Sequence, residues 1–166
     1  LEFGAGSGKL AFDLLTELEQ FDQLPTQYLI LEISAELQQR QRSLFETHAP
    51  QLLNRITWLT ELPEQFSGLI IANEVLDAMP THLIVWKKDE FFERGVSIDQ
   101  QALTWSDKPL INNELLAIAN QLSTLIDRNE ANFVSYLREI SLANRYFIHS
   151  LSKILQSGLI LLIDYG

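Results

Sequence analysis

The chain has 166 residues, 46% of them apolar and 20% charged, a formal net charge of −10 and a mean hydropathy of +0.02. That composition supports one domain with a real core and argues against disorder. It also excludes several classes: the chain lacks the basic stripe that displaces counterions from nucleic acid, no apolar run approaches the roughly 18–20 residues that span a bilayer, and without cysteine there is no disulfide or thiolate metal site.

The chain opens on "LEFGAGSGKL", where only Leu1, Glu2 and Phe3 precede a glycine-rich loop. Residues 9–20, "KLAFDLLTELEQ", set Leu10, Phe12, Leu14, Leu15 and Leu18 largely on one helical face. "QYLILEI" (27–33) is a continuous apolar run, the mark of a strand buried on both sides. Ser34 is placed to N-cap a helix over "AELQQRQRSLFETHA", with Leu37, Leu44 and Phe45 inward. "RITWL" (55–59) reads as a third strand and "SGLIIANE" (67–74) as a fourth, so the alternation predicts a parallel α/β sheet.

The middle of the chain changes character. "HLIVWKKDEFFERGVSI" (82–98) reads as two strands meeting at a Lys-Lys-Asp-Glu turn, and "ALTW" (102–105) as a third. Helices at about 113–128 and 131–156 follow, the second ending near Gly158 as its C-cap. "LILLIDYG" is a further buried strand. With no initiator Met, a first strand of three residues where four or more are usual, and an end at "IDYG", the chain reads as a piece of a longer protein whose targeting segments are not visible.

Three phosphate or cofactor loops can be tested against the opening. A Walker A loop, GxxxxGK[ST], needs glycine at position 3 and a hydroxyl at position 10; the chain has Phe3 and Leu10, so it is rejected. The dinucleotide pattern GxGxxG fits Gly4 and Gly6 but meets Lys9 where its third glycine belongs, which weakens an NAD-dependent oxidoreductase reading without excluding it. GxGxG fits fully at Gly4, Gly6 and Gly8, with Glu2 two residues ahead. That pattern after a strand resembles the S-adenosylmethionine loop of Rossmann-like methyltransferases. A carboxylate at position 2 favours an ammonium and a sulfonium and repels a pyrophosphate. Glu32, ending the second strand 24 residues after Gly8, suits an acid that hydrogen-bonds both ribose hydroxyls; its alternative is a solvated strand-end charge.

"ANEVLDAMP" (72–80), the tryptophan of "ITWLTELP", "FFERGV" (91–96) and the terminal "LILLIDYG" occur in the same order in the MidA family, which the chain resembles over nearly its whole length. These are S-adenosylmethionine-dependent methyltransferases whose mitochondrial relatives help assemble respiratory complex I by methylating a protein arginine. The resemblance implies an α/β fold: a Rossmann-like class I methyltransferase sheet with helices on both faces. Residues 1–166 would form a single core, with a hairpin and helical segment inserted at 81–156. It implies that Glu2, Gly4, Ala5, Gly6 and Gly8 line the methionine end of S-adenosyl-L-methionine. Glu32 with Ile33 would hold the ribose, and Trp58 or Leu59 would lie near adenine, although Trp58 suits the core equally well. Asn73 and Glu74 stand at the carboxyl end of the fourth strand, where open α/β sheets present reactive groups.

Glu74 and Asp77, with Asn73, are the candidates to orient a guanidinium through paired hydrogen bonds. The same residues are also ordinary first-turn helix caps. Glu93 and Arg94 read as an internal ion pair or a substrate contact, the structural reading being preferred. His48, His82 and His149 have no metal-ligand spacing, so no metal is expected. The implied partner is a basic, arginine-containing protein, which the acidity suits, although that charge also simply confers solubility. The rival reading is a non-catalytic assembly factor that binds the cofactor for stability. The absence of cysteine fits a reducing compartment, and the family resemblance implies a bacterial cytoplasm or, in a eukaryote, the mitochondrial matrix.

Overall fold

The computed structural model describes residues 1–87, 90–125 and 135–165. In chain order the elements are β1 (Glu2–Phe3), α1 (Lys9–Gln20), β2 (Tyr28–Leu31), α2 (Ala35–His48), a 3-10 turn (Pro50–Arg55), β3 (Ile56–Leu59) and β4 (Phe66–Asn73). These are followed by β5 (His82–Lys87), β6 (Glu90–Asp99), β7 (Ala102–Pro109), α3 (Asn113–Ser123), β8 (Tyr136–Ile140), α4 (Leu142–Ile154) and β9 (Leu155–Ile163). They form two compact units: Leu1–Ala78 with the stretch from Ile148 onward, and Met79–Phe147.

The first unit is an α/β fold with an all-parallel sheet in the order β3-β2-β1-β4-β9. The short β1 pairs on both sides, with Phe3 beside Leu31 and Ala72, so it needs only two residues to hold the centre. Helices α1 and α2 bury Ala11, Leu15, Phe45 and Ala49 against Tyr28, Ile30 and Ile56. Ser34 caps α2 as its sequence predicts, the hydroxyl accepting from the Leu37 N–H at 3.3 Å. On α2, Phe45 is fully buried, Leu37 and Leu44 are half-buried, and Gln41 is unexpectedly inside.

The second unit is an antiparallel sheet in the order β7-β6-β5-β8. Its core joins Ile84, Trp86 and Ile140 to Leu110, Leu115 and Ala119. The stretch "ALTW" proves to be the start of an eight-residue strand. Glu93 and Arg94 do not pair with each other, because successive strand residues point to opposite faces. Glu93 meets the His82 ring at 2.7 Å, and Arg94 grips Asp107 with two bonds of 2.7 and 2.9 Å. Lys87 adds an ion pair to Asp107 at 2.6 Å, so one carboxylate ties β5, β6 and β7 together.

One expectation fails outright. The helix expected over 131–156 is two elements, β8 and then α4, with β9 starting at Leu155. Ser141 is the break: its hydroxyl accepts the Asn144 N–H at 3.1 Å and donates to the Pro80 carbonyl at 2.9 Å. Before it, Tyr136 and Ile140 pair in register with Trp86 and His82, which satisfies the free edge of β5. Gly158 is no C-cap but a strand residue, where an added Cβ would stand 1.9 Å from the Gly68 carbonyl oxygen of β4. The remainder of that span (131–134), the end of the 113–128 helix (126–128) and the turn at 88–89 lie outside the described residues.

The Arg94 and Lys87 hydrogen bonds hold the Asp107 carboxyl well below the usual carboxylate range. Asp107→Asn should therefore destabilise the second unit by about 1–3 kcal/mol. A lowered folded pKa contributes stability above the unfolded value and loses it in acid. In thermal melts the deficit should be full from neutral pH down to about 3.8, the ordinary aspartate value, and shrink only below that.

Candidate functional site

The strand order reverses at β1: the chain moves from β1 to β2 and β3, then returns to β4 on the other side. Loops leaving the carboxyl ends of β1 and β4 therefore diverge, and open parallel sheets take ligands in that gap. The β1 loop contains Gly4, Gly6 and Gly8, all in the left-handed region with φ of +66°, +52° and +82°. The Gly8 N–H donates to the Ala5 carbonyl at 2.7 Å, and the Gly8 carbonyl accepts from Phe12 at 2.9 Å to start α1. The space around the three glycines differs. A Cβ on Gly4 would lie 2.8 Å from Val75 Cγ2 and one on Gly8 3.0 Å from Gln41 Cγ, whereas one on Gly6 meets nothing nearer than the Gly4 carbonyl at 3.9 Å. The floor above Gly6 is open; Ala5, beneath, is buried.

Beside this loop, Glu32 and Ile33 leave β2. Glu32 is 9% exposed. Its N–H donates to the Leu59 carbonyl at 2.9 Å, and its Oε1 accepts from the Ser34 N–H at 2.9 Å. Oε2 has no hydrogen-bond partner among the described residues, and neighbouring Ile33 is 79% exposed. Trp58, at the carboxyl half of β3, packs against the core, and the Arg42 guanidinium lies over its ring at 4.4 Å. Gln41 joins these parts: its Nε2 donates to the Gly6 carbonyl at 2.9 Å and its Oε1 accepts from the Trp58 indole at 2.8 Å.

Glu2 is placed beneath the loop rather than on its surface. It is 2% exposed, and the Tyr28 hydroxyl donates to its Oε2 at 2.7 Å. Burial raises the Glu2 pKa, partly opposed by the Tyr28 bond; burial and the Glu2 charge push Tyr28 well above the phenol range.

Across the gap, Asn73 and Glu74 are exposed at the end of β4. No helix begins between β4 and β5 among the described residues, so the capping alternative for Asn73, Glu74 and Asp77 has nothing to cap. Glu74 takes φ +54°, strained for a residue with a Cβ. Its N–H donates to the Ile163 carbonyl at 2.7 Å, and Tyr165 donates its hydroxyl to Oε1 at 3.1 Å. The Asp77 N–H donates to Asp164 Oδ1 at 3.3 Å. The neighbouring Asp164 carboxylate, with some desolvation, raises the Asp77 pKa. Asp164 and Tyr165 escaped the sequence reading, where "LILLIDYG" counted only as a strand; polar residues right after a buried strand were the available signal. A separate apolar cavity of about 700 Å³, lined by Leu14, Leu18, Tyr28, Phe66 and Ile71, opens at the amino ends of the strands, away from these groups. Among the described residues no cluster of ligating side chains could hold a metal, and no helix is long and apolar enough to cross a membrane.

Residues 1–166 match the family described as "Putative S-adenosyl-L-methionine-dependent methyltransferase". The crystal structure of a Burkholderia thailandensis protein bound to S-adenosyl-homocysteine is 40% identical, with a TM-score of 0.84 over 99% of this chain and 41% of that one. A native structure of an uncharacterized protein from the same organism is 38% identical, with a TM-score of 0.81 over 99% and 42%. The chain thus spans about two fifths of the length of these relatives. No curated protein matches it.

A carboxyl whose folded pKa is raised costs stability as pH rises through the window above its unfolded value. Wild-type stability should therefore gain from Glu2 as pH falls from 7 toward 4.5. Glu2→Gln, which keeps an acceptor for Tyr28, should flatten that part of the dependence in chemical denaturation.

Proposed function

The chain belongs to this S-adenosyl-L-methionine-dependent methyltransferase family, and from that premise we propose that it is the cofactor-binding core of a MidA-type enzyme that methylates a protein arginine. The observation carrying the proposal is the pairing, across one gap, of an open glycine floor with a strained, exposed carboxylate at Glu74. The donor set fits S-adenosyl-L-methionine: Gly6 leaves room above the loop, Glu32 Oε2 is available for a ribose hydroxyl, and exposed Ile33 offers an apolar shelf beside it. Glu2 beneath the loop suits a cation and repels a pyrophosphate, which disfavours the dinucleotide reading.

When bound, the cofactor supplies a methyl group on a sulfonium. The chain's part is to align the incoming nitrogen. Glu74 and Asp77 accept hydrogen bonds from a guanidinium in a paired arrangement, with the Asn73 amide oxygen as a third acceptor. Transfer to that nitrogen leaves a proton to remove, and Glu74 is the carboxylate placed to take it. Tyr165 holds Glu74 in place, and the net charge of −10 favours a basic protein. The bacterial cytoplasm, or the mitochondrial matrix in a eukaryote, is the compartment this reading implies.

Calorimetric titration of the complete protein with S-adenosylhomocysteine should give a binding isotherm; none at millimolar ligand overturns the proposal. Glu74→Gln should keep that affinity yet lose at least ~100-fold in methyl transfer to an arginine-rich peptide, and unchanged turnover would remove Glu74 from the mechanism. In Gly6→Ala the new methyl would stand in the cofactor's space. The backbone strain of about 1–2 kcal/mol should lower Tm by a few degrees, while S-adenosylhomocysteine affinity falls at least tenfold, about 1.4 kcal/mol.

A further inference from the structure

Gln41 is fully buried on a helix whose other polar residues are mostly exposed. Both ends of its carboxamide are used, and the orientation follows from chemistry: the Gly6 carbonyl can only accept and the Trp58 indole can only donate. Glu cannot donate when ionised, Leu can do neither, and Asn is one methylene shorter. Its own stem meets the space beside Gly8, so the glycine there and the glutamine here fit each other. Gly6, the open member of the loop, has no other tie of this kind among the described residues: the Ala5 and Gly8 carbonyls are taken by the loop and α1 themselves.

We infer that Gln41 is a positioning residue of the cofactor site, fixing the Gly6 peptide and the Trp58 ring in one geometry so that the loop and the end of β3 are set before ligand arrives. This rests on the reading of that gap as an S-adenosyl-L-methionine site. Gln41 itself touches no ligand; it acts through the Gly6 backbone. The advantage is preorganisation: a loop with three left-handed glycines has unusual backbone freedom, and restricting it before binding lowers the ordering cost of association.

The complete protein is titrated with S-adenosylhomocysteine as wild type, Gln41→Leu and Gln41→Glu. Gln41→Leu should remain folded by melting and circular dichroism and bind about tenfold or more weakly, since the Gly6 carbonyl and the indole lose their partners. Gln41→Glu supplies a readout beyond packing. Ionised, it accepts from Trp58 but cannot donate to Gly6; protonated, it restores both bonds. Its affinity should therefore recover toward wild type as pH is lowered from 8 to 5.5, relative to wild type at each pH, since Glu32 and Arg42 are common to both proteins. Trp58→Phe, which frees one end of the amide and leaves the Gly6 bond, should weaken binding less than Gln41→Leu and gives a second measurement if Gln41→Leu misfolds. A folded Gln41→Leu with wild-type affinity, or a Gln41→Glu deficit that ignores pH, overturns the inference. Failure of the wild type itself to bind would instead overturn the cofactor reading.

Discussion

A parallel sheet that reverses its winding at the central strand leaves two loops with no neighbour between them. The arrangement of the loops at the carboxyl ends of the strands follows from that constraint. Because β1 is flanked by β2 and β4, its two residues suffice, and the chain leaves it directly into Gly4, 2.8 Å from where Val75 would meet a Cβ. The close pass of the β1 and β4 loops requires glycine at 4, where an added Cβ would meet Val75 at 2.8 Å and lie 3.9 Å from the Asn73 carbonyl. Separating β1 from β4 in that order would part the glycine floor from the carboxylates that follow β4.

What the sequence shows of this is what local pattern encodes. Helices α1 and α2, the Ser34 cap and the GxGxG spacing depend on residues within a few positions of each other, and they appear where their periodicity puts them. Glu32 is legible because its place at the end of a buried run is itself local. Gln41 is not, since a glutamine among Gln38, Gln39, Arg40 and Arg42 reads as solvated surface; only Gly6 and Trp58, brought in from distant parts of the chain, give its amide two partners. Asp164 and Tyr165 fail for the same reason, because their partners Asp77 and Glu74 are 87 and 91 residues away. The helix expected over 131–156 divides for another reason: Ser141, which sits inside that expected helix, caps α4 instead.

Charge in the first unit is distributed with a direction. Glu2 lies under the loop, Glu32 at its flank, and Glu74, Asp77 and Asp164 follow β4 and β9, while the nearby cations are engaged, Lys9 with Asp13 at 2.5 Å and Arg42 over Trp58. A pyrophosphate would meet repulsion from several sides, whereas a sulfonium and a guanidinium would each find an opposite charge. The neighbouring Asp164 carboxylate raises the Asp77 pKa; a cationic group between them would relieve this. The left-handed φ at Glu74 has the same character, a cost kept because the Ile163 carbonyl and Tyr165 fix the residue from the neighbouring strand.

The second unit enters the chain where that logic permits. It departs after Ala78, in the loop that follows β4, and the chain rejoins the first unit at Ile148. An insertion inside a strand would break the register in which β4 and β9 run side by side from Ser67 and Ser157 to Asn73 and Ile163. One in the loop leaves every ladder hydrogen bond in place, since loops tolerate added length at a small entropic cost. The second unit has its own core around Trp86 and its own electrostatic tie at Asp107. Because its two ends join the loop after β4 and the helix before β9, the two strands that carry Glu74 and Tyr165 stay adjacent whatever length of chain lies between them.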